Sequence, residues 1–179
     1  MKQHQNQVMT QNAWVVRDLH DAIARFRDTM QIGPFFVIPR IGLQNVKYRG
    51  QPAELDISVA VAFAGHMQIE LIEQHNDGPS AYRDAVPKGQ DGYHHICFYP
   101  DDYDAELARY RAMGFEVATS GEVASANGRR FCYIDTRETL NCMVELVDAP
   151  EGASIVWQAL REATDNWDGK TDPIRTIGL

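Results

Sequence analysis

The chain repeats itself, and that repeat limits its fold more than any single residue does. A shift of 84 positions lays Gln11-Asn-Ala-Trp-Val-Val-Arg-Asp18 over His95-Ile-Cys-Phe-Tyr-Pro-Asp-Asp102, and Ala24-Arg-Phe-Arg27 over Ala108-Arg-Tyr-Arg111. A shift of 75 lays Met67-Gln-Ile-Glu-Leu-Ile-Glu73 over Cys142-Met-Val-Glu-Leu-Val-Asp148. Each copy reads as a short apolar strand, an Asp at a helix start, and a helix with apolar positions at Leu19, Ile23 and Phe26, or at Leu107 and Tyr110. Gly33 and Gly114 are read as the helix ends.

Strand-like segments follow in each copy: 34–39 and 55–64 in the first, 115–119 and 130–135 in the second. The order strand, helix, three strands therefore appears twice. We expect an α+β chain with one βαβββ module over 7–75, a polar connector over 76–92, and a second module over 93–150. The segment 151–179 should hold a helix between Ala153 and Trp167, followed by a tail with no assigned structure.

Composition narrows the function. A net charge of −8, with scattered Lys and Arg, opposes a nucleic-acid partner. No run approaches the roughly 18 apolar residues of a membrane span, and the Gln-rich N-terminus has no apolar leader, so a cytoplasmic protein without a membrane partner is expected. Cys97, Cys132 and Cys142 are odd in number and lack CxxC spacing, which suggests reduced packing residues.

Strand alternation then isolates the polar residues that matter. Glu70 stands opposite Ile69 and Leu71, and Glu145 opposite Val144 and Leu146, so a carboxylate sits mid-strand at matched places in both copies. Either one alone could face solvent. As a matched pair they would converge if the modules pack about a pseudo-twofold axis, and burying them would then call for a cation. Gln11 and His95 are the equivalent residues of the two first strands, and a strand-borne His is a ready nitrogen ligand. Alternation lets only one of His94 and His95 face the site; His95 matches Gln11, which leaves His94 to packing or the surface.

With these residues the chain resembles the vicinal oxygen chelate superfamily of glyoxalase I, methylmalonyl-CoA epimerase, extradiol dioxygenases and bleomycin- and fosfomycin-resistance proteins. The resemblance implies two βαβββ modules curled into a half-open barrel around a divalent metal held by Gln11, Glu70, His95 and Glu145. Three oxygens and one imidazole suit Zn²⁺, Ni²⁺, Co²⁺, Mn²⁺ or Mg²⁺. The Gln, Glu, His, Glu set resembles one class of glyoxalase I, while Gly92-Tyr-His-His and Asp101-Asp-Tyr-Asp104 are closer to the epimerase.

The implied activity is a metal-dependent isomerase, epimerase or lyase acting through an enolate, on a small-molecule substrate and as a homodimer. Glu145 is the first candidate base and Glu70 its partner. The epimerase's additional carboxylate would fall on Glu54 or Asp56. Val15 stands where glyoxalase I has a glutathione-binding basic residue, and Gln11 departs from the dioxygenase iron triad. A resistance-type binder is the alternative, with a ring-cleaving dioxygenase behind it. Phe63, Phe98 and Tyr133 are placed around the cleft, with core packing as their other reading.

Overall fold

A computed structural model describes residues 8–148 and 153–177. In chain order the elements are β1 (Met9–Val15), α1 (Leu19–Met30), β2 (Phe35–Ile38), β3 (Leu43–Tyr48), β4 (Gln51–Pro52), β5 (Ile57–Ala64), β6 (Met67–Gln74), α2 (Ala81–Ala85), β7 (Gly92–Phe98), α3 (Tyr103–Ala112), β8 (Val117–Val123), β9 (Arg129–Ile134), α4 (Arg137–Leu140), β10 (Met143–Val147), α5 (Ala153–Asp165) and β11 (Ile174–Thr176). The expected boundaries at residues 7, 150 and 151 lie outside the described residues.

Asp18 and Asp102 cap α1 and α3, their carboxylates accepting from the amides of Asp21 at 2.8 Å and Ala105 at 2.9 Å. Gln31, in the left-handed region at φ 56°, closes α1 instead of Gly33, whereas α3 does end beside Gly114. Gly33 has another task. The Trp167 ring lies over it, so close that a Cβ there would stand 2.8 Å from the indole.

Among the described residues eleven strands join one sheet in the order β11-β2-β5-β6-β1-β7-β10-β9-β8-β3-β4. The run β2-β5-β6-β1 mirrors β8-β9-β10-β7, and the two runs meet where β1 pairs antiparallel with β7. The fold is mixed α+β with a C-terminal helix, as expected, and the sheet curls without closing.

The β3–β4 hairpin was not foreseen. It leaves the first half and pairs along β8 of the second. Ile41 donates to the Ile57 carbonyl at 3.0 Å and the Gly42 carbonyl accepts from Ala124 at 2.9 Å, so residues 41–42 bridge the two halves. Within the expected connector, Ser80 caps a short helix, α2, that buries Ala81 and Tyr82. Residues 174–176 form a strand parallel to β2.

The sheet has apolar residues on both faces. On the outer face α1 covers Ala60, Ala62, Ile69 and Leu71, while Tyr103 and Tyr110 of α3 pack with Cys132, Ile134, Val144 and Leu146. The inner face gathers Ala13, Val15, Val59, Ile72, Phe131, Tyr133 and Met143 from both halves. Burying aliphatic and aromatic side chains at roughly 1.5–3 kcal/mol each makes these faces the main stabilising element. Glu70 and Glu145 lie within the inner layer.

Candidate active site

Register brings the site together. Ala13 of β1 lies opposite Glu70 of β6 on one side and His95 of β7 on the other, while Glu145 of β10 pairs with Cys97, two residues beyond His95. Gln11, two residues before Ala13, shares its face. The four residues expected at the site are thus neighbours across four adjoining strands.

His95 is the centre of the group and is fully buried. Its Nε2 lies 3.1 Å from Gln11 Oε1, 3.2 Å from Glu145 Oε2 and 3.6 Å from Glu70 Oε2. The Gln11 amide nitrogen donates to Gln68 Oε1, which fixes the amide oxygen toward the histidine. Burial first, and then the Glu145 carboxylate, hold the Glu70 carboxyl well above the usual carboxylate range, opposed by its hydrogen bond with Gln11. Burial together with the two glutamates also pushes up the Tyr82 and Tyr133 phenols and the Cys97 thiol. The group carries more acid than it has base to neutralise.

Among the described residues no group of three or more His, Cys, Asp and Glu stands as a ready-made metal site. The donors nevertheless suit a cation. Ligands about 2.1 Å from a common ion stand about 3.0–3.4 Å from one another, close to the spacing found around His95 Nε2. A cation would also relieve the repulsion between two buried carboxylates.

His94 departs from expectation. Ala13 pairs with His95 but Trp14 pairs with Tyr93, so β7 carries one extra residue, a bulge at His94. The bulge cancels alternation, and His94 stays on the inner side, fully buried against Tyr82 and Tyr133 at ring separations of 4.9 and 5.2 Å. Its Nδ1 lies 2.8 Å from His95 Nδ1, which orients the imidazole and leaves Nε2 turned to the carboxylates. Burial pulls the His94 imidazole well below the usual histidine range.

A cavity of about 140 Å³ opens from this floor. Gln11, Glu70 and Glu145 line it together with Tyr82, Tyr99, Arg129, Phe131, Tyr133, Trp157 and aliphatic residues that include Ile57, Val59 and Val61. The Tyr82 and Tyr133 hydroxyls share a 2.9 Å hydrogen bond beside the floor.

Of the three aromatic residues placed around the cleft, only Tyr133 lines it. Phe63 packs with Trp157 and Leu160, and Phe98 lies in the outer layer beneath α3. Neither Glu54 nor Asp56 lines the cavity; Asp56 pairs with Arg40 at the surface. Sequence reasoning missed Tyr82, Arg129 and Trp157. Ser80 as a helix cap was the available signal for Tyr82.

A model of the Glyoxalase/Bleomycin resistance protein/Dioxygenase superfamily matches residues 10–133. The uncharacterized protein YqjC of Bacillus subtilis is 30% identical over 99 residues, 55% of this chain and 69% of that one. An ethylmalonyl-CoA/methylmalonyl-CoA epimerase of Cereibacter sphaeroides is 27% identical over 139 residues, 75% of this chain and 92% of that one. The crystal structure of methylmalonyl-CoA epimerase from Mycobacterium tuberculosis is similar with a TM-score of 0.52 at 18% identity, over 84% of this chain and 97% of that one. Among the described residues no helix is long and apolar enough to cross a membrane.

Proposed function

This chain belongs to the Glyoxalase/Bleomycin resistance protein/Dioxygenase superfamily, and on that premise we propose that it is a metal-dependent isomerase, epimerase or lyase that moves a proton next to a substrate carbonyl. The observation that carries this reading is the convergence of Gln11, Glu70 and Glu145 on His95 Nε2, at 3.1–3.6 Å, on the floor of an otherwise largely apolar cavity.

Gln11, Glu70, His95 and Glu145 would hold one divalent cation, of which Zn²⁺, Ni²⁺, Co²⁺, Mn²⁺ and Mg²⁺ all suit the donors. When bound, such an ion polarises a carbonyl and lowers the cost of removing the adjacent proton. The chain's residues do the rest. Glu145 and Glu70 come from opposite halves, so a substrate lying between them would meet one carboxylate on each face. We assign Glu145 as base and Glu70 as its partner, which takes or returns the proton. The apolar walls keep water from the reacting carbon.

Similarity to the epimerase of Cereibacter sphaeroides supports proton transfer over oxygen chemistry. Neither weak candidate for a further carboxylate reaches the cavity, so Glu70 and Glu145 are the only acids available in its lining among the described residues. Metal analysis of the purified chain tests the reading. One divalent ion per chain is expected, lost in Glu145→Ala. A metal-free protein that still binds small molecules would replace it with a non-catalytic binding role.

A further inference from the structure

The lining of the cavity is chemically uneven. β5 supplies aliphatic residues, Ile57, Val59 and Val61, whereas β9 supplies aromatic and polar ones, and the lining holds a single cation among the described residues, Arg129. The next residue in the chain shows how such a group is ordinarily satisfied. Arg130 points to the other face and is paired with Asp104 and with Asp148, at 2.9 and 2.7 Å. Among the described residues Arg129 pairs with no acid, and its Nε is buried without a hydrogen-bond partner.

Trp157 of α5 is in the same position: it lines the cavity and its indole N–H is buried and unpartnered. Buried donors left unsatisfied are costly, and two of the five such atoms found among the described residues belong to one cavity. Both are donors, and one carries a positive charge. They call for an acceptor that is an anion.

Position gives the length of that anion. Tyr133 of β9 pairs with Glu145, and Phe131 with Val147. Arg129 lies four residues from Tyr133 on the same face, about 13 Å along the strand. The glutamate floor repels an anion at one end and the guanidinium attracts it at the other, so a ligand is oriented as well as held.

We infer that the cavity takes a medium-length organic acid whose carboxylate is received by the Arg129 and Trp157 donors and whose apolar body lies along Phe131 and Val61. The reacting carbonyl then reaches Glu70, Glu145 and His95, a placement that rests on the function proposed above. The acid-binding end stands on Arg129 and Trp157 alone.

Titration calorimetry of the full chain with octanoate and with its neutral analogue octanamide, each with and without Zn²⁺, tests this. Octanoate should bind more tightly than the amide, and Arg129→Gln should weaken it at least tenfold while leaving octanamide unchanged. Trp157→Phe, which keeps a ring but removes the N–H, should weaken octanoate a few-fold. Equal binding of acid and amide, no octanoate binding, or indifference to Arg129→Gln overturns the inference. A chain that holds its ion but ignores Arg129 refutes only this inference. One that holds no ion yet selects octanoate through Arg129 refutes only the proposed chemistry.

Discussion

The two halves of the sheet share a backbone plan and differ in what they present to the cleft. In the first half Val61 pairs with Glu70 and Val59 with Ile72, and Ile57 follows at the rim. In the second, Tyr133 pairs with Glu145 and Phe131 with Val147, and Arg129 follows. Rung for rung, Val, Val and Ile oppose Tyr, Phe and Arg. The floor differs in the same sense, with an amide from β1 set against an imidazole from β7. A repeated fold therefore conserves where side chains point and leaves open what they are, so one half provides apolar contact while the other provides charge and directional donors.

The largest effect expected from this asymmetry is on metal binding. His95→Ala removes the one nitrogen donor and should weaken divalent-metal affinity by at least about a hundredfold, since loss of an outer-shell contact alone costs 10–100-fold. Gln11→Ala removes a neutral amide oxygen that water can replace, and a loss of about tenfold or less is expected. Competition against a chromophoric chelator measures both. Equal losses would show that the halves contribute alike and would sink the comparison at the floor.

A smaller difference should separate the residues that position those two. His94 holds His95 through their Nδ1 atoms at 2.8 Å, and Gln68 holds Gln11 through its amide. His94→Phe keeps a ring against Tyr82 and Tyr133 and should lower metal affinity about tenfold, within the range for an outer contact. Gln68→Leu should change it only a few-fold, because the neutral amide it orients is the weakest of the proposed donors. Near-ultraviolet circular dichroism serves as the control for folding. A His94→Phe protein with native affinity would make His94 a packing residue, as alternation alone would have it.

That case shows where the sequence was legible. The repeat placed Gln11, Glu70, His95 and Glu145 at equivalent strand positions, and because strand periodicity is local, the structure brings all four to one inner face. The order strand, helix, three strands was read along each copy from the same pattern, without the β3–β4 hairpin that interrupts the first. Periodicity breaks at a bulge, and nothing in Tyr93-His-His-Ile marks β7 as carrying an extra residue. The pairing of β3 with β8 is non-local and depends on which sheet edge lies within reach of residues 39–42. Arg129 and Trp157 come to one cavity from a strand start and a C-terminal helix, and no spacing relates them. Phe98 packs in the outer layer, the core role it was also given, and its pattern could not choose a side because an apolar strand residue fits either face of a sheet buried on both.

The smallest effect concerns the ionic contacts of the two halves. Arg49, at the end of β3, reaches Asp84 at 2.8 Å and Asp135 at 3.0 Å, tying the first-half hairpin to the second half. Arg137 first, and then Arg49, hold the Asp135 carboxyl down to about 2, below its ordinary 3.8. Because the folded value is the lower one, the contribution is fully present above about pH 4 and is lost as pH falls through 2. Asp135→Asn should therefore cost about 1–2 kcal/mol at pH 7 and flatten the decline in stability between pH 4 and pH 2. The first-half pair Arg40–Asp56 is 62% and 41% exposed in its side chains, so Asp56→Asn should change stability by about 0.5 kcal/mol or less at any pH. Urea unfolding at pH 7, 4 and 3 distinguishes them. If the two variants lose stability equally at pH 7 and converge in the same way at pH 3, the hairpin is held by its backbone ladder to β8 and the second half has no electrostatic advantage over the first.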